Sequence, residues 1–134
     1  MNNEILQFID GDRSEFVLGA LEWRLRVFLA NAADGIPIVH ALGFRNVYEM
    51  RLAMRDHWLR QAAKHIPEDK PWPRARRLAA RINTFESACW PKWERHPMPP
   101  DGTDAINRAL FNCRKIGAPL PSSVRQLYNI LTAA

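Results

Sequence analysis

Apolar side chains recur along this chain at intervals of three and four residues, the spacing that gathers them on one face of an α-helix. Nowhere do β-branched residues alternate with polar ones over the length of a strand, so an all-α fold is expected. The most apolar periodic stretch opens at Asp12 or Ser14, either of which suits an N-cap, and runs to about Ala33, before Asp34-Gly35. Phe16, Ala20, Trp23, Val27 and Ala30 form one stripe, and Leu18, Leu21, Leu25, Phe28 and Leu29 widen it over most of the circumference. Such a helix is expected at the centre of the core. Glu22 and Arg26, four apart with the acid first, predict a surface pair on it.

A short helical turn follows from Pro37 to Leu42, stopped by Gly43. Asn46 then caps a longer helix ending near His65, with Val47, Met50, Met54 and His57 or Trp58 on its apolar side. Arg51, Arg55, Arg60 and Lys64 make its basic side.

Two proline-rich stretches, Pro67-Glu-Asp-Lys-Pro71-Trp-Pro73 and Pro97-Met-Pro99-Pro100-Asp-Gly, cannot lie inside a helix or a central strand. Between them Pro73 opens a helix that reaches about Ala88 or Trp90, where Pro91 interferes. Leu78, Ile82, Phe85 and Cys89 face its core side, and Arg74, Arg77 and Arg81 stack along one edge. Trp90 to His96 reads as a bulky, irregular segment. Beyond the second stretch, Thr103 or Asp101 caps a helix with Asp104 in its first turn and Ile106, Ala109, Leu110, Cys113 and Ile116 on one face, ending at Gly117. After the loop Ala118-Pro-Leu-Pro121, Ser122 or Ser123 starts a last helix with Val124, Leu127, Tyr128 and Leu131 inward. The expected architecture is a compact bundle of about five or six helices with a helical hairpin at its C-terminus. It is read as one domain, 1–134, in which the prolines mark off sub-units 1–66, 73–96 and 101–134.

Composition narrows the class. At 134 residues, 47% apolar and 25% charged, the chain suits one folded domain and not a disordered segment. No apolar run approaches the roughly 18 residues of a membrane span, and the first residues lack the basic and apolar regions of a signal peptide. A cytoplasmic protein with no membrane association is expected, and Cys89 and Cys113 are expected to be thiols. The net charge of +5 is uneven: residues 1–34 hold six acids against three bases, which leaves +8 for the rest. That imbalance points to an anionic partner, either nucleic acid, DNA or RNA, or an acidic protein or nucleoprotein surface.

Catalytic motifs are missing from the sequence: it has no nucleophile elbow, glycine-rich phosphate loop, H-E-x-x-H or Cys-x-x-Cys. No enzyme activity and no cofactor is therefore expected, and His40, His57, His65 and His96 are too scattered for a metal set. Asp10-Gly-Asp12-Arg-Ser14 begins like a calcium loop, but Glu15 stands where glycine is needed and Leu21 holds the twelfth position. It reads as a turn and helix cap.

Three features carry binding chemistry. Arg74, Arg76, Arg77 and Arg81, with Trp72 before them and Arg51, Arg55, Arg60 and Lys64 on the preceding helix, offer paired guanidinium donors to phosphates. The same residues read equally as a solvated face, with Trp72 plugging the core. On the last helix, Arg125, Gln126 and Asn129 point outward and are the side-chain types that read base edges. Ile106 to Leu131, about the last fifth of the chain, resembles the helix-turn-helix modules of plasmid and phage regulators, although its loop is longer than theirs. That resemblance implies a DNA-reading role, while Gln126, three residues after Ser123, also suits a capping box. Finally, Trp72, Trp90 and Trp93 lie in or beside proline-rich connections and are candidate anchors for a protein partner. The expected function is non-enzymatic nucleic-acid association in a bacterial phage or plasmid accessory protein. The alternative is a protein-binding inhibitor or a small helical subunit of a nucleoprotein complex.

Overall fold

The computed structural model describes residues 4–30 and 38–133, and these form helices and loops with no strand among them. The chain divides into two compact units, Met1–Met50 and Arg51–Ala134. The division falls inside a helix and not at either proline-rich stretch.

The first unit holds α1 (Glu4–Ile9), α2 (Glu15–Ala30), α3 (Ile38–Ala41) and the start of α4 (Val47–Ala63). Asp10 to Ser14 is a turn and cap: Asp12 Oδ1 accepts the Ser14 amide at 2.8 Å, and Ser14 Oγ accepts the Val17 amide at 3.3 Å. The hydrogen bond from the Ser14 backbone holds the Asp12 carboxyl below the usual carboxylate range. Arg26 pairs with Glu22 at 2.7 Å, as the i,i+4 spacing predicts.

The expectation that α2 sits at the centre of the core needs correcting. Val17 is its only fully buried side chain among the described residues, while Phe16 is 72%, Trp23 62% and Leu29 70% exposed. The reason is geometric: α1 and α3, with six and four residues, lie against α2 and can cover only one side of a 16-residue helix. The segment 31–37, which includes Asp34-Gly35 and Pro37, lies outside the described residues, as does the side chain of Ala30. Gly43, at φ 95°, closes α3, its amide and that of Phe44 returning to the carbonyls of His40 and Val39. Asn46 caps α4 by accepting the Glu49 amide at 2.8 Å.

The second unit contains the rest of α4, α5 (Pro71–Thr84), a π-helical turn (Phe85–Cys89), α6 (Trp90–Trp93), α7 (Ala105–Lys115) and α8 (Val124–Thr132). Helix runs unbroken from Pro71 to Trp93, two residues earlier at its start than Pro73 and past the expected stop at Pro91. Pro91 has no amide to donate, and just before it the ladder widens so that the Trp90 amide reaches back five residues to Phe85 O. The π turn thus lets the helix continue where an α-helix would break, so Trp90–Trp93 is a helical turn and not irregular.

The core of this unit is built on Leu59, Leu78, Phe85, Leu110, Phe111 and Leu127, each at most 1% exposed. The buried face of α4 is Ala53, Leu59, Ala62 and Ala63, whereas Val47 is 42% exposed and Met50, Met54, His57 and Trp58 are half-buried. Small alanines admit a close neighbour, so they, with Leu59, and not Val47, Met50 or Met54, form the buried face of α4. The cap of α7 is Asp104, neither Thr103 nor Asp101, and its carboxylate accepts the Asn107 amide at 2.8 Å. Gly117, at φ 82°, closes that helix, its amide and that of Ala118 returning to the carbonyls of Arg114 and Cys113. Ser123 caps α8, whose backbone is laid along α5.

Candidate nucleic-acid interface

The basic residues on α4 and α5 separate into those bound within the protein and those left facing water. Arg55, placed by periodicity on the basic face of α4, is 7% exposed, paired with Asp56 at 2.9 Å and donating to Pro119 O at 3.2 Å. Arg60 donates to Ile130 O at 3.0 Å. Along α5, Arg74 donates to Glu68 O at 2.8 Å, Arg77 pairs with the Glu68 carboxylate at 3.3 Å, and Arg81 donates to both Asp104 oxygens and to Asn107. The edge formed by Arg74, Arg77 and Arg81 is therefore real as a helical stripe but largely compensated, because it faces Glu68 and the capped start of α7. Arg51, Lys64 and Arg76 are exposed, and no carboxylate of the described residues pairs with them.

Helical position explains the split. Trp72 and Arg76, four apart on α5, lie on a different flank from Arg74 and Arg81; Arg76 shares a surface depression with Glu68 and Arg77, but the Glu68 carboxylate pairs with Arg77.

The tryptophans also divide. Trp90 and Trp93 are half-buried and roof the core: Trp90 lies 6.2 Å from Phe85 and 5.7 Å from Phe111, and Trp93 lies 6.1 Å from Phe85, ring centre to ring centre. The Arg114 guanidinium covers Trp90 at 5.0 Å. Both rings pack against the core and keep part of their surface in water, Trp90 meeting Phe111 on α7 just after the π turn.

Trp72 is different. It is 39% exposed, its ring stands 5.5 Å from that of Tyr128, and Arg125 lies over both rings at 5.1 and 5.7 Å. Trp72 and Arg125, assigned from sequence to two separate features, are thus brought together where α5 and α8 meet. Tyr128, placed inward by its periodicity, packs against the core and also joins them; its spacing three residues after Arg125 was the available signal. Gln126 and Asn129 are exposed beside them, and the Gln126 amide is taken by Ser123 Oγ at 3.1 Å.

Cys89 and Cys113 are unbridged, and burial pushes the Cys113 thiol up to about 12, away from the reactive thiolate. Among the described residues no cluster of His, Cys, Asp and Glu could hold a metal ion, and no helix is long and apolar enough to cross a membrane.

Fold and site together define an all-α protein whose second unit carries fifteen Lys and Arg against seven Asp and Glu, a net +8, with an aromatic–arginine cluster on its surface. No protein-family model matches the chain, and no curated protein or solved structure matches it either.

Proposed function

We propose that this protein binds nucleic acid, without chemistry, through the basic helical surface of Arg51–Ala134, as an accessory or regulatory protein of a phage or plasmid. The observation that carries the reading is the set of exposed, uncompensated cations, Arg51, Lys64, Arg76 and Arg125, on a unit of net charge +8. Phosphates neutralise such cations and release counterions, so affinity depends steeply on salt. Arg55, Arg60, Arg74 and Arg81 hold the fold and contribute only field. The test is a salt titration of binding to labelled duplex and single-stranded oligonucleotides. Affinity that falls as salt rises, with a shallower slope after Arg51→Gln and Arg76→Gln, supports the reading. No binding to either form at low salt overturns it.

A second reading, a protein-binding inhibitor or a small helical subunit of a nucleoprotein complex, draws on α2, where Phe16, Trp23 and Leu29 are mostly exposed. A partner captured from host lysate that survives nuclease treatment favours this second reading.

A further inference from the structure

We infer that Trp72, Tyr128 and Arg125 form a stacking site for an unpaired base, so that the strand this protein prefers is single and not duplex; this rests on the nucleic-acid reading above.

Trp72 occupies the first turn of α5 between Pro71 and Pro73, whose rings fix φ on either side of it. The indole is braced by Tyr128 at 5.5 Å with the planes tilted by 59°, yet 39% of the residue remains in water. A platform held in this way loses little conformational freedom when a ligand lands on it. Arg125 adds a planar, weakly hydrated cation over both rings, and no carboxylate among the described residues claims it. Bases stack on aromatic rings and on guanidinium planes alike.

Arg76, one helical turn beyond Trp72 on the same flank of α5, is exposed and places a second free cation where a strand leaving the platform would carry its phosphate. The start of α5 is itself a poor phosphate site, since Pro71 and Pro73 have no amide and the Arg74 amide is bonded to Lys70 O. Recognition at this corner therefore falls to the rings and guanidinium groups. A base inside a duplex has both faces covered by its neighbours, so such a platform takes only unpaired bases.

Fluorescence anisotropy with a labelled oligothymidylate, the same strand with abasic sites, and a duplex of equal length tests the inference. The parent protein should bind oligothymidylate more tightly than duplex at one salt concentration and lose roughly fivefold or more on the abasic strand. Trp72→Leu should weaken single-strand binding by about five- to hundredfold per stacked base and leave duplex binding unchanged, while Trp72→Phe keeps most of the affinity. Arg125→Gln should weaken it severalfold with an unaltered melting curve, which covers the case in which Trp72→Leu does not fold. Equal affinity for abasic and oligothymidylate strands, or for parent and folded Trp72→Leu or Arg125→Gln, overturns the stacking site but leaves nucleic-acid binding standing if the salt dependence persists. A parent protein that binds none of the three probes overturns both.

Discussion

Replacing Arg55 with methionine separates a structural arginine from the surface ones around it. The methionine keeps an unbranched stem of similar length, so the perturbation is confined to the guanidinium. That group is inside the fold: the side chain is 9% exposed, pairs with Asp56 at 2.9 Å and donates to Pro119 O at 3.2 Å, a residue 64 positions away. A hydrogen bond from a charged donor contributes about 1.5–3 kcal/mol. Asp56, at 27%, keeps part of its hydration, so the ion pair adds only about 1 kcal/mol after screening. Together the loss is about 3 kcal/mol, which for a unit of this size lowers the melting temperature by roughly 10–20 °C. Arg76→Gln, on the exposed face of α5, should shift stability by no more than about 0.5 kcal/mol. Thermal melts followed by circular dichroism, with urea titration as a check, give both values. A loss below about 1 kcal/mol for Arg55→Met, or equal losses for the two variants, would refute the assignment of Arg55 to the fold.

The Cys113 thiol, buried and pushed up to about 12, keeps its proton in the folded state, whereas the unfolded thiol titrates near 9. Stability from this group is fully present below pH 9 and is lost as pH rises from there toward 12, by at most about 1.4 kcal/mol per pH unit. Cys113→Ala should flatten that part of the urea-midpoint profile, and an unchanged slope would contradict the burial. Asp104→Asn keeps an N-cap oxygen but removes the charge from the exposed pair with Arg81, so it should cost less than about 1 kcal/mol, while Asp104→Ala loses the cap as well and should cost about 1–2 kcal/mol. Equal denaturation midpoints for the two variants would show that the cap contributes nothing. Trp23→Ala, at a site 62% exposed, should change stability by about 1 kcal/mol or less, and a loss near 3–5 kcal/mol would place Trp23 in the core after all.

Local physics made much of the chain legible in advance. The all-α class follows from periodicity, and the caps at Ser14, Asn46 and Ser123 and the stops at Gly43 and Gly117 each depend on atoms within one or two helical turns. Such interactions are specified by neighbours in sequence. Local signals misled where the deciding partner was distant, or where two of them competed. Pro91 signalled a break, yet a π turn absorbed it. On α4, the large side chains drew the apolar face toward Met50 and Met54, while alanines and Arg55 took the buried one.

The candidate site divides in the same way. Sequence alone determined that the charge is concentrated beyond residue 34 and that Arg74, Arg77 and Arg81 share a helix edge, because composition and a 3.6-residue repeat need no tertiary contact. Only the tertiary structure decided which of those charges remain available. Arg81 meets Asp104 across 23 positions, Arg55 meets Pro119 across 64 and Arg60 meets Ile130 across 70. The meeting of Trp72 with Arg125 and Tyr128 likewise depends on α8 lying against α5. A periodic pattern states which side chains share a face of their own helix, but the helix or loop that face meets is chosen by packing over the whole unit, and that choice determines whether an arginine is neutralised or free.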